Sequence, residues 1–347
     1  MKIAIITDQH FGARKNSKLF HDYFLKFYND IFFPTIEERG IKVVVDMGDT
    51  FDSRKGIDFA ALAWAKDNYY DRLAKLGVKV HTIVGNHTAY YKNTNQVNAV
   101  DLLLREYKNV IIYSEPTSVK LGKLPVLFVP WINEENSENT IKSIKGFSGV
   151  HAMGHLELNG YPAHRGHIME TGHDGKLFAS YKRVFSGHYH TRSTDGRVFY
   201  LGNPYEIYSN DMGDPRGFHI FDTETDELEE INNPYKMYDV IYYEDTPYQT
   251  FDARSYEGKI IKLIVRKKSN PKKYNKFVDK LLASNIAELN IVELAAGESV
   301  ELNNYDPESE DTISILNRYV EESEQTINKS DIQTIIQEVY QEACEMV

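Results

Sequence analysis

Asp8, His10, Asp49, Asn86, His155, His188 and His190 are the residues whose types and spacing could do chemistry in this chain. Each follows a short apolar run. MKIAIITDQH ends in Asp-X-His, IKVVVDMGDTFD passes through Gly-Asp, and VKVHTIVGNHT ends in Gly-Asn-His. Further on, Val150–Met153 leads into Gly154-His155, and Arg183–Phe185 leads into Gly187-His188-Tyr189-His190. Runs of four to six apolar residues read as buried strands. In an open α/β sheet, ligands bind where the carboxyl ends of such strands converge. Carboxylate, imidazole and amide oxygen in one set suit Mn²⁺, Fe²⁺ or Zn²⁺ rather than Ca²⁺ or a thiolate-bound metal. A lone histidine at a strand end is more often structural. Five such pieces in order make a metal centre the first hypothesis.

The elements that must position these residues alternate. Helix patterns at about 18–39 and 57–76 separate the first three strands, and Gly40 and Gly77 close them. This is the βαβ alternation of a layered α/β domain. A helix at 96–106 follows. Short strands at 110–113, 117–121 and 126–129 then suggest a sheet continued by a meander, with a helix near 138–145. Strands at 197–201 and 217–221 close the first domain near Ile231. Residues 237–294 read as a small α+β unit, with strands at 238–243, 259–266 and 287–294 and a helix at 272–284. Residues 297–311 are a polar, acidic linker with little to bury.

A length of 347 residues fits two domains with appendages. The net charge of −11 is unevenly spread. Residues 221–347 hold 27 acidic and 13 basic side chains, whereas the remainder holds 24 acidic and 27 basic and all twelve histidines. The acidity thus lies apart from the candidate site, and the charge is no argument against a phosphate-bearing substrate. One cysteine, Cys344, rules out an internal disulfide and fits a reducing compartment. The opening apolar run is too short for a signal peptide, and no run is long enough to span a membrane. A cytoplasmic protein without membrane association is expected.

Two stretches point to partners. Between Lys259 and Lys280 lie nine basic residues and one acidic residue, with Tyr274 and Phe277 placed as helix core. At the end of the chain, Ser330 and Gln333 form a capping-box pattern. Ile332, Ile335, Ile336, Val339 and Tyr340 then follow on one helical stripe, which needs a surface to cover it.

In this order, D-x-H, G-D-x-x-D, G-N-H, G-H and G-H-x-H resemble the calcineurin-like metallophosphoesterase superfamily over roughly residues 1–222. The resemblance implies a four-layer α/β/β/α sandwich bearing a two-metal phosphodiesterase site. By that analogy one ion takes Asp8, His10, Asp49 and His190. The other takes Asp49, Asn86, His155 and His188, with Asp49 bridging. His87 is similar to the family's catalytic histidine. GDTFDSRK, HTIVGNHTAYYKN, PWINEEN, GHLELNG and DPRGF further resemble the SbcD-type nucleases, most of all the recombination endonuclease subunits of large tailed phages. Protein phosphatases of the superfamily carry GDxxDRG and GNHE, and this chain has Ser53-Arg54 and Thr88 there instead.

The resemblance implies a division into nuclease domain (1–231), DNA-capping domain (232–296), acidic linker (297–311) and helical tail (312–347). It also implies two Mn²⁺ per subunit (Mg²⁺, Fe²⁺ and Zn²⁺ being the alternatives), double-stranded DNA and its ends as substrate, and a homodimer. The tail would dock on an SbcC-type coiled-coil ATPase. If the chain is phage-encoded, the compartment is the cytoplasm of the infected cell. Arg54, Lys55, His164, Arg165, Lys267, Lys268, Lys272 and Lys273 are the expected DNA contacts, with Asp52 and His167 beside them. One departure stands out: the family usually has Asp after Gly-Asn-His to orient the histidine, and Thr88 stands here. A small-molecule phosphoesterase and a DNA-binding scaffold with a decayed site are the competing readings. The basic cap and helical tail speak against the first, and all seven ligand types speak against the second.

Overall fold

A computed structural model describes residues 1–164 and 166–294, together with Val320 and Ile332. Two six-stranded sheets carry the main body. The first has the order β14-β13-β1-β2-β3-β4. Its strands are β1 (Lys2–Ile6), β2 (Val43–Asp46), β3 (Lys79–Ile83), β4 (Val110–Tyr113), β13 (Gly217–Asp222) and β14 (Glu227–Asn232). The second has the order β11-β12-β10-β7-β6-β5. It comprises β5 (Thr117–Leu121), β6 (Leu124–Val129), β7 (His151–His155), β10 (Arg183–Gly187), β11 (Ser193–Thr194) and β12 (Val198–Tyr200). A two-stranded hairpin, β8 (Pro162–His164) with β9 (His167–Ile168), stands apart from both.

Strand alternation explains the layering. Ile3 and Ile5 of β1 point one way and join Val45, Phe128, Met153 and Phe185 in a core shared by the two sheets. On the other face of the first sheet lie helices α1 (Lys18–Phe27), α2 (Phe33–Glu38), α3 (Phe59–Ala65), α4 (Asp71–Lys75) and α5 (Ala99–Leu104). Their aromatic faces close that layer, with Phe27 and Phe32 edge-on to Phe218 of β13. Helix α6 (Ser137–Gly146) covers the second sheet through Ile144. The α/β sandwich expected from the sequence is the fold observed.

Three features differ from the sequence expectation. The helices expected at 18–39 and 57–76 each contain a π-turn, Tyr28–Phe32 between α1 and α2 and Lys66–Tyr70 between α3 and α4. A hydrophobic stripe survives one extra residue, so periodicity does not reveal it. β14 (ELEEIN) was not expected, because an edge strand needs few apolar side chains and only Leu228 packs on the shared core. The β8–β9 hairpin is likewise too short and polar to leave a pattern.

Register brings the functional loops to one rim. Ile6 lies opposite Asp46, and Asp46 opposite Thr82, so β1, β2 and β3 end in one row. In the second sheet His155 lies opposite Gly187, so β7 and β10 also end level.

The smaller unit is a parallel sheet β15-β16-β17, of β15 (Tyr238–Tyr242), β16 (Ile260–Val265) and β17 (Glu288–Glu293), covered by α7 (Pro271–Leu282). Tyr274 and Phe277 are core residues there. Buried Glu206 anchors the unit to the main body, accepting from the backbone N–H groups of Met237 at 2.8 Å and Tyr238 at 2.9 Å. Among the described residues no helix is long and apolar enough to cross a membrane.

Candidate metal centre

Two loops are zipped together at the rim. The N–H of Asp8 donates to Gly48 O, that of His10 to Asp49 O and that of Phe11 to Thr50 O, all at 2.8–3.0 Å. Within these loops Asp8, His10 and Asp49 have φ of 52°, 45° and 49°, and His188 across the rim has 83°. Left-handed backbone at a non-glycine residue costs about 1–3 kcal/mol each and persists only where surrounding structure enforces it. Glycines make room for the side chains. A Cβ on Gly48 would stand 2.5 Å from His155 Nδ1, one on Gly85 would strike the Asp49 carboxylate, and one on Gly187 would strike Thr7 and Asp8.

The seven residues singled out as ligands fall into two adjoining groups. Asp8, His10 and His190 each offer an atom within 4.8 Å of the others, and so do Asp49, His155 and His188. His10 Nε2 and His190 Nε2 are 3.2 Å apart. His155 Nε2 and His188 Nδ1 both lie 2.9 Å from Asn86 Oδ1, and His155 Nε2 is 3.1 Å from Asp49 Oδ2.

The protein fixes which nitrogen faces inward. His155 Nδ1–H donates to Met47 O at 2.9 Å, leaving Nε2 for a ligand. His10 Nδ1–H donates to Asp52 Oδ1 at 3.0 Å, with the same result. His190 has Nδ1 beside Asn203 and Asp211, and Arg216 donates to its carbonyl. Asp52, expected to face DNA phosphate, is thus turned inward as the partner of His10. No sequence signal marked Asn203 or Asp211, and Arg216 was marked only as part of the DPRGF run, with no role attached.

Electrostatics agree with a cation site. Burial opposes charge on His10, but the hydrogen bond to Asp52 and the charges of Asp49 and Asp8 outweigh it and raise its pKa to about 9. Burial likewise opposes charge on His155, and Asp49 with Asp8 raises it to about 9. Burial also works against Asp49, yet His155, His87 and His10 hold its carboxylate well below the usual range. The carboxylates therefore draw positive charge into a largely buried pocket, and the donor set of carboxylate, amide oxygen and imidazole fits first-row divalent ions.

His87 stands at the mouth. Its ring meets that of His10 edge-on at 4.9 Å, and its N–H donates to Asp49 Oδ1 at 2.8 Å. Its Nδ1–H donates to the backbone carbonyl of Asp52 at 2.6 Å. That carbonyl fills the orienting place for which Thr88 has no carboxylate. The Thr88 hydroxyl instead closes its own turn against Gly85 O at 3.0 Å.

The residues expected to meet DNA are dispersed. Arg54 lies over the Trp131 ring at 5.2 Å, with Nη1 buried and without a hydrogen-bond partner among the described residues. Lys55 is exposed, and His164 and His167 stack at 5.0 Å on the β8–β9 hairpin. Lys267 and Lys273 join Lys276, Tyr243 and Tyr248 around a cavity of about 490 Å³ in the small unit. Lys272 is exposed, whereas Lys268 is bound to Glu293 and lies over Tyr274. Arg165, the acidic linker, Ile335, Ile336, Val339 and Tyr340 lie outside the described residues. Ile332 is helical and half-buried.

Comparison with known proteins places the chain in a family. Residues 1–192 match the family model for calcineurin-like phosphoesterases. The chain is 35% identical over 246 residues to exonuclease subunit 1 of Enterobacteria phage T4, spanning 70% of this chain and 71% of that protein. Among solved structures, an archaeal phosphodiesterase aligns with 67% of this chain and all of its own, at 17% identity and a TM-score of 0.35. A dimetal phosphatase from Danio rerio aligns with 63% of this chain and 91% of its own, at 14% identity and a TM-score of 0.36.

Proposed function

Because the chain belongs to the calcineurin-like phosphoesterase family, we propose that it is a metal-dependent DNA nuclease, the hydrolytic subunit of an SbcCD-like recombination and repair complex. The observation that carries this is the pair of ligand groups at one rim, with His87 beside them, in a chain similar to a phage exonuclease subunit. Asp8, His10, Asp49 and His190 would hold one divalent ion, and Asp49, Asn86, His155 and His188 the other. The donors suit Mn²⁺, Fe²⁺ or Zn²⁺, and the likeness to SbcD-type nucleases makes Mn²⁺ the ion we propose. When bound, a pair of such ions would supply polarisation of a phosphodiester and a water of lowered pKa.

The chain's own residues do the rest. His87, its Nδ1–H held by the Asp52 carbonyl, presents Nε2 at the mouth and hands a proton to the leaving oxygen. Arg54, laid on Trp131 and half-exposed, meets a neighbouring phosphate with the exposed part of its guanidinium. Digestion of end-labelled duplex and single-stranded DNA, with Mn²⁺ and after chelation, tests the reading. Strand loss that depends on Mn²⁺ is expected, and hydrolysis of small phosphate esters without cleavage of either DNA would favour a small-molecule phosphoesterase.

The small unit serves as a cap that guides duplex DNA to the rim. Replacing Lys267, Lys272 and Lys273 by Gln should weaken duplex binding and flatten its dependence on log salt by roughly 0.9 per lost phosphate contact. Lys268→Gln should do less, since Glu293 already engages that ammonium. Hydrolysis of bis-nitrophenyl phosphate should persist in both. An unchanged salt slope would reduce the basic stretch to a solvated face.

The tail stripe docks on the coiled coil of an SbcC-type ATPase, the subunit pairs with itself, and the assembly works in the cytoplasm, that of the infected host cell if the chain is phage-encoded. A chain ending at Glu308 should keep bis-nitrophenyl phosphate hydrolysis and fail to co-purify with the ATPase. Normal co-purification would reject the docking.

A further inference from the structure

Asp46 ends β2 and is fully buried, yet it belongs to neither ligand group. Both its oxygens are engaged. Oδ1 accepts from the N–H of Gly48 at 3.3 Å, and Oδ2 accepts from Thr50 Oγ1 at 2.7 Å and Gln9 Nε2 at 2.9 Å. The positions of these partners matter. Gln9 sits between Asp8 and His10, and Gly48 and Thr50 sit on either side of Asp49. One carboxylate therefore grips the neighbours of each left-handed ligand on the first two loops.

Gln9 is itself fully buried and held from the far side. Tyr28 OH donates to its Oε1 at 2.5 Å, and Tyr205 OH donates to its backbone carbonyl at 2.6 Å. Tyr28 opens the first π-turn. The second π-turn carries Tyr69 and Tyr70, whose buried phenols are kept protonated by burial and by the nearby charge of Asp46. A carboxylate taken fully out of water is tolerated only when its lone pairs are satisfied, as they are here.

We propose that Asp46 is a positioning residue. Through Gln9 on one side and Gly48 with Thr50 on the other, it locks the Asp8–His10 and Asp49 loops at one spacing, and so sets the spacing of the two cation positions. The inference rests on the reading of the rim as a two-ion centre. It assigns no ligand role to Asp46, and the backbone ladder between the loops would survive its loss.

The test uses the full chain and Mn²⁺ as the probe. Affinity is read by calorimetry, the coupled-pair signature by electron paramagnetic resonance, and folding by melting in chelator. In the wild type, two Mn²⁺ with a coupled signal are expected. A wild type that binds no Mn²⁺ pair would overturn the two-ion reading and this inference together.

Asp46→Asn should lower Mn²⁺ affinity by about 10–100-fold, the scale seen when residues behind a metal ligand are removed, and should lose the coupled signal while melting within a few degrees of wild type in chelator. Gln9→Glu combined with Asp46→Asn should restore both readouts. In that pair the hydrogen bond is kept with its polarity reversed: the new amide at position 46 donates to the new carboxylate at position 9, and the net charge is unchanged. Restoration separates positioning from a general need for charge at residue 46. Thr50→Val, which removes one bond and leaves the carboxylate in place, should give a smaller loss in the same direction and serves if Asp46→Asn does not fold. Wild-type affinity and coupling in Asp46→Asn, or in Thr50→Val where Asp46→Asn is unfolded, would overturn the inference. So would a folded double variant that stays uncoupled.

Discussion

Asp49→Ala should empty both cation positions at once and lower cleavage by at least about 10³-fold, on plasmid DNA and on bis-nitrophenyl phosphate alike. The reason is geometric. One Asp49 oxygen faces His155 at 3.1 Å, the other accepts the His87 N–H at 2.8 Å, and its backbone carbonyl holds the His10 N–H at 2.9 Å. Losing the carboxylate removes a negative group that faces His155, His87 and His10 together, and leaves Asp8 and Asp52 to offset the charge on His10 and His155. Metal content measured after dialysis decides the matter. A mutant with wild-type Mn²⁺ content would refute the shared role, whatever its activity. The fold itself should survive, because the core shared by the sheets is untouched and a left-handed residue with a buried charge has been removed.

His87→Gln should behave in the opposite way. Metal content and DNA affinity should match the wild type, while cleavage falls by roughly 10²–10⁴-fold. The alternative is concrete, because His87, His10 and Asp52 also bring ligand atoms within 4.8 Å of one another. A mutant that loses Mn²⁺ would make His87 a ligand. The leaving group supplies a second discriminator. Nitrophenolate departs without a proton, so a histidine acting as the acid should matter far less for bis-nitrophenyl phosphate than for DNA. Equal losses on the two substrates would assign His87 to stabilising the phosphate and not to proton transfer.

The sequence made the candidate ligands legible because each is a metal-capable residue at the end of an apolar run, and strand ends in a sheet of this kind must converge. Asp8, His10, Asp49, Asn86, His155, His188 and His190 all reach one rim. The roles of the residues around them were not legible, even for Asp52 in G-D-x-x-D and Arg216 in DPRGF, for a different physical reason each time. Asp46 follows three valines, and nothing in a string of letters separates a buried, three-bonded aspartate from one at the surface. Asp52 sits in a polar loop, and only the fold turns its side chain toward His10 and its carbonyl toward His87. Arg216 is 26 residues from His190, whose carbonyl it holds. Lys268 is indistinguishable in sequence from its basic neighbours, and Glu293, on a strand 25 residues away, claims it. Side chains that act through a distant partner carry no local signature.

The two π-turns have a consequence for chain length. Such a turn is one residue more than an α-helix requires, so a single deletion at Tyr28–Phe32 or Lys66–Tyr70 would heal the helix and leave both flanks on their original faces. The apolar layer would hardly notice. What would go is the row of phenols leaning on Gln9 and Asp46. In an alignment with relatives, the informative gaps are therefore expected inside these two helices and not in the loops. A homologue shorter by one residue at either place should keep the sandwich and need another way to brace the two loops that carry Asp8, His10 and Asp49 here.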